Sequence, residues 1–548
     1  MRSPREKPPE SPTAIPPFRT AAAFLAVWAG LNALVQFSWP FGEIRLPELL
    51  MPSQELFAAL WVLCISAWLK LRFQKGMAAG LAGFMIFAAV FRAADRLVPL
   101  YFDREFNLFI DGRFLPDLVS LLYDTTASGL FFAWSAAAAA GAGIAFFLIY
   151  GGFRWLQRYF EQDGRRTVFM AAANLLLTLS LGCVLFAPTP GGRVFSPGIW
   201  PRIAAEIGFI LTVEKTRRHQ LDLLETAVRR MARLPSSLDR LNGRNVYLIF
   251  VESYGETVFE DPRHFGMIAP VLRRLSADDR FSACSNYLRS PTISGSSWLA
   301  HGTLAGGVMT DTHLKFKLLL GSRIKPMAHY FMRAGYRTVC VMPGTKTPRP
   351  EDAWFEFQGK YDANALGYRG PAFGWVTMPD QFVLDTICRK EIRTAESPLF
   401  IEFILVSSHA AFHLQPQYIE DWSRVGDGSV FHDLEMRTFP VVWPDLTNAS
   451  EAYATSIAYV LTVIEGFLHQ CLDRKALVIV VGDHQPSPQI TGEGRSRSVP
   501  IHIISPSPDL LAPFLKRGYT PGFIPEQPPP HPGMDTFLEG FLEDFSSR

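Results

Sequence analysis

Five apolar runs in the first 187 residues constrain this 548-residue chain more than any other feature. They are Thr20 to Trp39, Ser53 to Leu69, Met77 to Val98, Leu130 to Gly151 and Thr167 to Ala187, each near the roughly 20 residues that a helix needs to cross a bilayer. The first run follows Arg2, Arg5, Lys7 and Arg19 and leads into further apolar runs, so it reads as a retained anchor and not as a cleaved leader. Basic residues also follow the second run (Lys70, Arg72, Lys75) and the fourth (Arg154, Arg158, Arg165, Arg166), whereas the loops Pro40 to Pro52 and Pro99 to Ser128 mix both signs. Positive loops stay inside. An odd number of crossings from an inner N-terminus then puts everything beyond Ala187 on the outer face of the membrane. Arg92, Asp95 and Arg96, near the outer end of the third run, are expected to snorkel to the interface or to pair with one another.

Beyond Ala187 the character changes. Residues 188–241 pass through a Pro/Gly segment into an amphipathic stretch, and residues 242–548 alternate short β-rich runs with helical patterns, as soluble α/β domains do. The expected organisation is therefore a transmembrane anchor over 1–187, an amphipathic linker over 188–241 and a catalytic domain over 242–548. The net charge of +2, without a long basic tract, argues against nucleic acid as a partner. Six cysteines without a CxxC pair predict buried free thiols.

The β-rich runs are Val246 to Val251, Arg337 to Met342, Leu399 to Val406, Leu477 to Val481 and Val499 to Ile504. Continuous apolar strands belong to a sheet covered on both faces, which predicts an α/β fold with a mostly parallel central sheet covered by helices. In such sheets ligand chemistry collects beyond the carboxyl ends of the strands. Glu252 stands directly after the first run in VESYG, Asp483 and His484 follow the fourth in VVVGDHQP, and His409 follows the third in VSSHAAFH. Carboxylate oxygens with an imidazole nitrogen suit zinc, manganese or magnesium. Between the first two strands lies RSPTISGSSWLAHGTLAGG, whose hydroxyl-rich start leads into a helix pattern at Trp298. A hydroxyl at a helix N-terminus faces free N–H groups and can attack phosphorus; Thr292 leads, with Ser294, Ser296 and Ser297 as rivals.

The ordered set VESYG, SPTISGSSWLAH, SSHAAF and GDHQP resembles the alkaline phosphatase superfamily, in particular its sulfatase-like membrane phosphotransferases of the lipoteichoic acid synthase and periplasmic glucan phosphoglycerol transferase kind. The resemblance implies one divalent metal held by Glu252, Thr292, Asp483 and His484. It implies Thr292 as the nucleophile of a covalent phospho-threonine intermediate and His409 as the residue that orients phosphate or protonates the leaving group. It further implies a phospholipid donor, a glycan or lipid acceptor, and a multi-pass protein of the bacterial inner membrane with a periplasmic or extracellular catalytic domain. No C/S-x-P-x-R motif occurs, which disfavours sulfate ester hydrolysis. Only Cys284 lies near the nucleophile segment, which leans the reading from phosphoethanolamine toward phosphoglycerol transfer.

Substrate contacts are expected from Lys346, Arg349, Trp298 and His502, although His502 in VPIHII also fits a core strand. Trp354, Phe355, Tyr361, Tyr368 and Trp375 form either an aromatic surface for a sugar or glycerol or a packed loop. The alternatives are a phosphodiesterase or phosphatase, with water in the acceptor's place, and a non-catalytic binding or assembly module.

Overall fold

A computed structural model of the chain describes residues 17–36, 51–71, 74–102, 104–112, 115–116, 119, 123, 128–186, 195–196, 198–346, 349–373, 377–441, 445–472, 475–492 and 494–547. Arg2, Arg5, Lys7, Arg72 and Trp375 lie outside the described residues. The chain divides into two compact units, Met1–Leu97 with Glu105–Leu211, and Val98–Arg104 with Thr212–Arg548.

In the first unit, helices α1 (Pro17–Gln36), α2 (Gln54–Trp68), α3 (Gln74–Phe102), α4 (Ser128–Tyr159) and α5 (Asp163–Phe186) coincide with the five apolar runs. Among the described residues, Lys75–Pro99 and Gly129–Tyr159 are long and apolar enough to cross a membrane. On α4 the large apolar side chains of Trp134, Phe147 and Leu148 are exposed, as a lipid-facing helix requires. Polar groups at the ends of these helices are tied together. Glu55, fully buried, takes hydrogen bonds from Arg92 Nη2 at 2.8 Å, Ser53 Oγ at 2.9 Å and the backbone N–H of Ile199 at 2.6 Å. Asp95 pairs with Arg202 at 2.9 Å. Arg92 and Asp95 thus pair across helices and not with each other, because an ion in an apolar bundle is held only by a partner brought to it by packing.

The second unit is built on an eight-stranded sheet. Its strands are β1 (Val246–Val251), β2 (Ser282–Arg289), β3 (Arg337–Met342), β4 (Gly359–Asp362), β5 (Leu399–Leu405), β6 (Leu477–Gly482), β7 (Ser498–Ser505) and β8 (Thr520–Pro521). Their order across the sheet is β8-β2-β7-β6-β1-β5-β3-β4. From β6 to β4 neighbouring strands are parallel, while β7 runs antiparallel to both β6 and β2, and β8 antiparallel to β2. The sheet is therefore mostly parallel at its centre, as the apolar runs predict, with an antiparallel flank.

Every residue of β1 and β6 is buried. One face of β1 (Tyr247, Ile249, Val251) packs with α7 (Pro262–Ser276) and α11 (Ser450–Gln470); the other (Val246, Leu248, Phe250) packs with α8 (Ser297–Gly306), α9 (Met327–Arg333) and α12 (Phe537–Phe545). Strands buried on both sides cannot alternate polar and apolar residues, which is why the sequence shows unbroken apolar runs. A disulfide joins Cys388, directly after α10 (Asp380–Ile387), to Cys471, directly after α11, with Cα atoms 5.7 Å apart. This corrects the expectation of free thiols, which Cys64, Cys284 and Cys340 do meet. The two partners are 83 residues apart, and only the packing of α10 against α11 brings them within bonding reach.

Candidate metal centre and nucleophile segment

β1 and β6 are adjacent and in register, Val251 opposite Gly482, so the residues after them leave the sheet side by side. Gly482 makes this possible: a Cβ there would lie 1.9 Å from the carbonyl oxygen of Tyr254. Glu252, Asp483 and His484 are all buried, and one ligand atom from each lies within 4.8 Å of the other two. Asp483 Oδ1 is fixed by the backbone N–H of Ser253 at 2.8 Å and of His484 at 2.7 Å. Its Oδ2 stands 3.7 Å from His484 Nε2, which is itself 3.4 Å from Glu252 Oε1. His484 Nδ1 lies 2.8 Å from the carbonyl of Gln485, which orients the ring.

The electrostatics reflect this crowding. Burial pushes the Asp483 carboxyl up to about 8, and the Glu252 carboxylate adds to the rise. Burial opposes charge on His484, but Asp483 and Glu252 together carry it up to about 9. Burial likewise opposes ionisation of Glu252, yet the imidazoles of His409 and His484 hold it well below the usual carboxylate range. Two buried carboxylates that can ionise only beside a positive charge, with an imidazole nitrogen between them, make a donor set suited to a divalent cation of the zinc, manganese or magnesium kind.

The hydroxyl-rich segment reaches this centre through strained backbone. Ser290 Oγ donates to the Asp483 carbonyl at 2.6 Å, and the backbone N–H of Ser294 donates to the Gln485 carbonyl at 2.9 Å. Ser294, Gly295 and Ser296 then all have positive φ, at 55°, 132° and 58°. Left-handed serines cost about 1–2 kcal/mol each, and such strain is retained where it aims a group. The group aimed here is Ser297, the first residue of α8. Its Oγ is 3.3 Å from Glu252 Oε2 and 3.2 Å from His484 Nε2. Thr292 Oγ1 instead donates to the Gly295 carbonyl at 2.8 Å. Of the four hydroxyls singled out in the sequence, the structure thus brings Ser297 against the cluster and ties Thr292 to its own loop.

His409 lies near enough to Glu252 for its imidazole to act on that carboxylate. Ser408 Oγ donates to the Glu252 carbonyl at 2.6 Å, and His409 Nδ1 lies 2.6 Å from the Ala410 carbonyl. The turn after β5 is held by Asp380, a residue sequence reasoning missed. Its two oxygens accept the backbone N–H groups of Val406 and Ser407 at 2.9 and 3.0 Å, and its own N–H donates to Ser407 Oγ at 2.9 Å. Burial raises its carboxyl to about 6. The only sequence signal was an acidic residue after a proline at a helix start.

The remaining predicted site residues lie elsewhere. His502 is inside the sheet, with Nδ1 2.7 Å from Ser285 Oγ and Nε2 3.0 Å from Tyr254 Oη, so both ring nitrogens are engaged. Lys346 is exposed, and Trp298 is half-buried one position beyond Ser297. Arg349 pairs with Asp352 at 3.1 Å. Trp354 donates to the Ile324 carbonyl at 3.2 Å and packs against the core beside buried Phe355. At those two positions the packed loop holds and the open aromatic surface does not.

A family model described as Sulfatase matches residues 307–515, a stretch that includes Arg349, His409, Asp483 and His484. The resemblance read from the motifs is therefore met over that region. No curated protein matches the chain. Among solved structures, the chain is similar to the integral membrane lipooligosaccharide phosphoethanolamine transferase A of Neisseria meningitidis, at 12% identity over 94% of this chain and 95% of that one, with a TM-score of 0.47. It is similar to the lipoteichoic acid synthase LtaP of Listeria monocytogenes, at 14% identity over 55% and 72%, TM-score 0.37. It is also similar to the Streptococcus pyogenes phosphoglycerol transferase GacH in complex with sn-glycerol-1-phosphate, at 10% identity over 60% and 91%, TM-score 0.35.

Proposed function

We propose that this chain is a membrane-anchored, metal-dependent phosphotransferase that moves a phosphoglycerol-type or phosphoethanolamine headgroup from a phospholipid to a glycan or lipid acceptor. The observation that carries this reading is the placement of the Ser297 hydroxyl, on the first residue of a ten-residue helix, against three convergent metal-type ligands. A hydroxyl so placed attacks phosphorus while the free N–H groups of the helix start face the equatorial oxygens. The covalent intermediate is then a phospho-serine on Ser297, in place of the phospho-threonine expected at Thr292.

A divalent cation bound by Glu252, Asp483 and His484 would lower the pKa of the hydroxyl and neutralise charge that develops on the phosphate. His409, whose charge acts on Glu252, gives a proton to the departing alcohol and takes one from the incoming alcohol. Asp380 positions His409 by fixing the turn that carries it.

The domain reading is an anchor over 1–187, a linker over 188–241 and a catalytic domain over 242–548. We place the catalytic domain on the outer face of a bacterial inner membrane. Three observations support this placement: the bias of basic residues among the loops, the two helices able to span a bilayer, and the Cys388–Cys471 disulfide, which persists in oxidising compartments.

The test is intact-mass analysis of the full-length protein after exposure to labelled phosphatidylglycerol or phosphatidylethanolamine. A headgroup-sized adduct is expected on wild type and on Thr292→Ala, and none on Ser297→Ala. An adduct that survives in Ser297→Ala and vanishes in Thr292→Ala returns the nucleophile to Thr292. Absence of an adduct from wild type with either lipid refutes the covalent reading.

A further inference from the structure

One buried imidazole beside the reaction centre has no task in the chemistry above. His301 is 5% exposed, and its Nε2 has no hydrogen-bond partner among the described residues. A ring nitrogen shut away from water without a partner costs free energy that an apolar ring of similar size does not. The His301 ring packs on Phe250, with centroids 4.4 Å apart, and phenylalanine would fill that place as well. Packing alone therefore does not account for the nitrogen.

The place of His301 on α8 points to its partner. Ser297 and His301 are one turn apart on the same face of the helix. Side chains on a helix lean toward its N-terminus, so the His301 ring leans toward the turn that carries Ser297. The strand underneath agrees. Ser297 meets Glu252 and His301 meets Phe250, two residues before Glu252, and both steps span about 6 Å. His301 thus lies directly beneath the Ser297 hydroxyl, and the charges of Glu252 and His484 reach it. Burial pushes its pKa down to about 3, with Arg349 adding to the fall, so the ring is neutral at ordinary pH and carries one N–H. A phosphoryl group bonded to Ser297 Oγ brings strong acceptor oxygens to this spot. Those oxygens take a donor, and a buried N–H takes an acceptor.

We propose that His301 is a further catalytic residue, which donates a hydrogen bond from Nε2 to a non-bridging oxygen of the phosphoryl group carried by Ser297. The inference rests on the phospho-serine reading. No proton changes hands in this contact: the ring stays neutral, and the hydrogen bond strengthens as charge builds on the phosphoryl oxygens during attack and departure. The group recognised is the phosphate that phosphoglycerol and phosphoethanolamine share, so His301 sets no preference between the two headgroups.

The test uses full-length protein in detergent and two variants. His301→Phe keeps a ring and deletes the nitrogen, and His301→Gln keeps a terminal N–H at about the reach of Nε2. Four quantities are measured: the rate of adduct formation on Ser297 from labelled phosphatidylglycerol and from phosphatidylethanolamine, orthovanadate binding by calorimetry, divalent metal content, and the melting temperature. His301→Phe should slow adduct formation at least about tenfold with both lipids alike and weaken orthovanadate at least about tenfold. Its metal content should equal that of wild type, and its melting temperature should rise by at least about 2 °C, because the orphaned nitrogen is gone. His301→Gln should bind orthovanadate within about threefold of wild type. The inference is overturned, and the phospho-serine spared, if His301→Phe keeps the wild-type rate and orthovanadate affinity. It is overturned too if that variant melts lower or loses metal, which makes His301 part of the frame, or if His301→Gln binds orthovanadate no better than His301→Phe. A wild type that never forms the adduct on Ser297 removes the phospho-serine itself, and the inference with it.

Discussion

Glu402 gives the sharpest physical prediction, because a carboxylic acid stands in the middle of a central strand. In register it lies between Leu248 of β1 and Cys340 of β3, and it is buried. Burial pushes its carboxyl from an ordinary 4.5 up to about 8, with Arg349 pulling weakly the other way. Between those two values the folded chain keeps a proton that the unfolded chain has released. Stability must then fall as pH rises across that window, by about 1.4 kcal/mol per pH unit, and the loss is complete above the folded value. By pH 7 this amounts to about 3 kcal/mol. Glu402→Gln keeps the size and removes the titration, so it should match wild type near pH 5 and exceed it by about 3–4 kcal/mol near pH 8. At roughly 2 °C per kcal/mol for a large domain, the melting temperature of the variant should rise relative to wild type by about 6–8 °C across that range. The assay is a pair of thermal melts at matched scan rate, with the infrared band of a protonated carboxyl expected in wild type and missing in the variant. A constant or shrinking difference between pH 5 and 8 would refute the claim that the sheet holds this acid neutral.

Two further outcomes concern the site and the frame around it. Asp483→Asn should lower divalent metal bound per chain, measured by elemental analysis, by more than the roughly 10–100-fold in affinity that loss of a mere supporting partner costs; equal metal content in wild type and variant would remove the metal centre. Cys388→Ser should lower the stability of the second unit by about 2–5 kcal/mol, the upper end being what cross-linking a loop of 83 residues gives by chain entropy. Unchanged denaturation with and without reductant would argue that the bond contributes nothing.

The parts legible in the sequence were those with a local cause. Strands buried on both faces must be apolar throughout, so β1 and β3 could be read to the residue, and β5 could be read through Glu402 because the residues on either side keep the run intact. Glu252 and Asp483 were legible because each is the first polar residue beyond an apolar strand, where a doubly covered sheet gathers its chemistry. What could not be read depends on contacts between distant segments. Four hydroxyls crowd into Thr292 to Ser297, and the composition of that stretch favours none of them. The structure sets Ser297 against the cluster because Ser294 is bonded to Gln485, and Gly295 and Ser296 then take positive φ, a conformation that sequence alone does not impose on serine. The disulfide and the Glu55–Arg92 pair were hidden for the same reason, since residues 83 and 37 positions apart meet only when whole helices pack.

Gly482 shows how fold and chemistry become one problem in this chain. With a side chain at that position the turn after β6 could not lie against Tyr254, and Asp483 would be displaced from the two backbone N–H groups that fix its Oδ1. Close approach of the two strand ends sets the carboxylates of Glu252 and Asp483 around one point. In a buried setting that arrangement is unfavourable unless positive charge lies between them, whether a proton shared with His484 or a divalent cation. The same approach leaves Ser297 Oγ touching Glu252 and His484. Tight packing of β1 against β6 therefore creates an electrostatic conflict that positive charge resolves, and it sets the Ser297 hydroxyl at the place where the conflict is resolved.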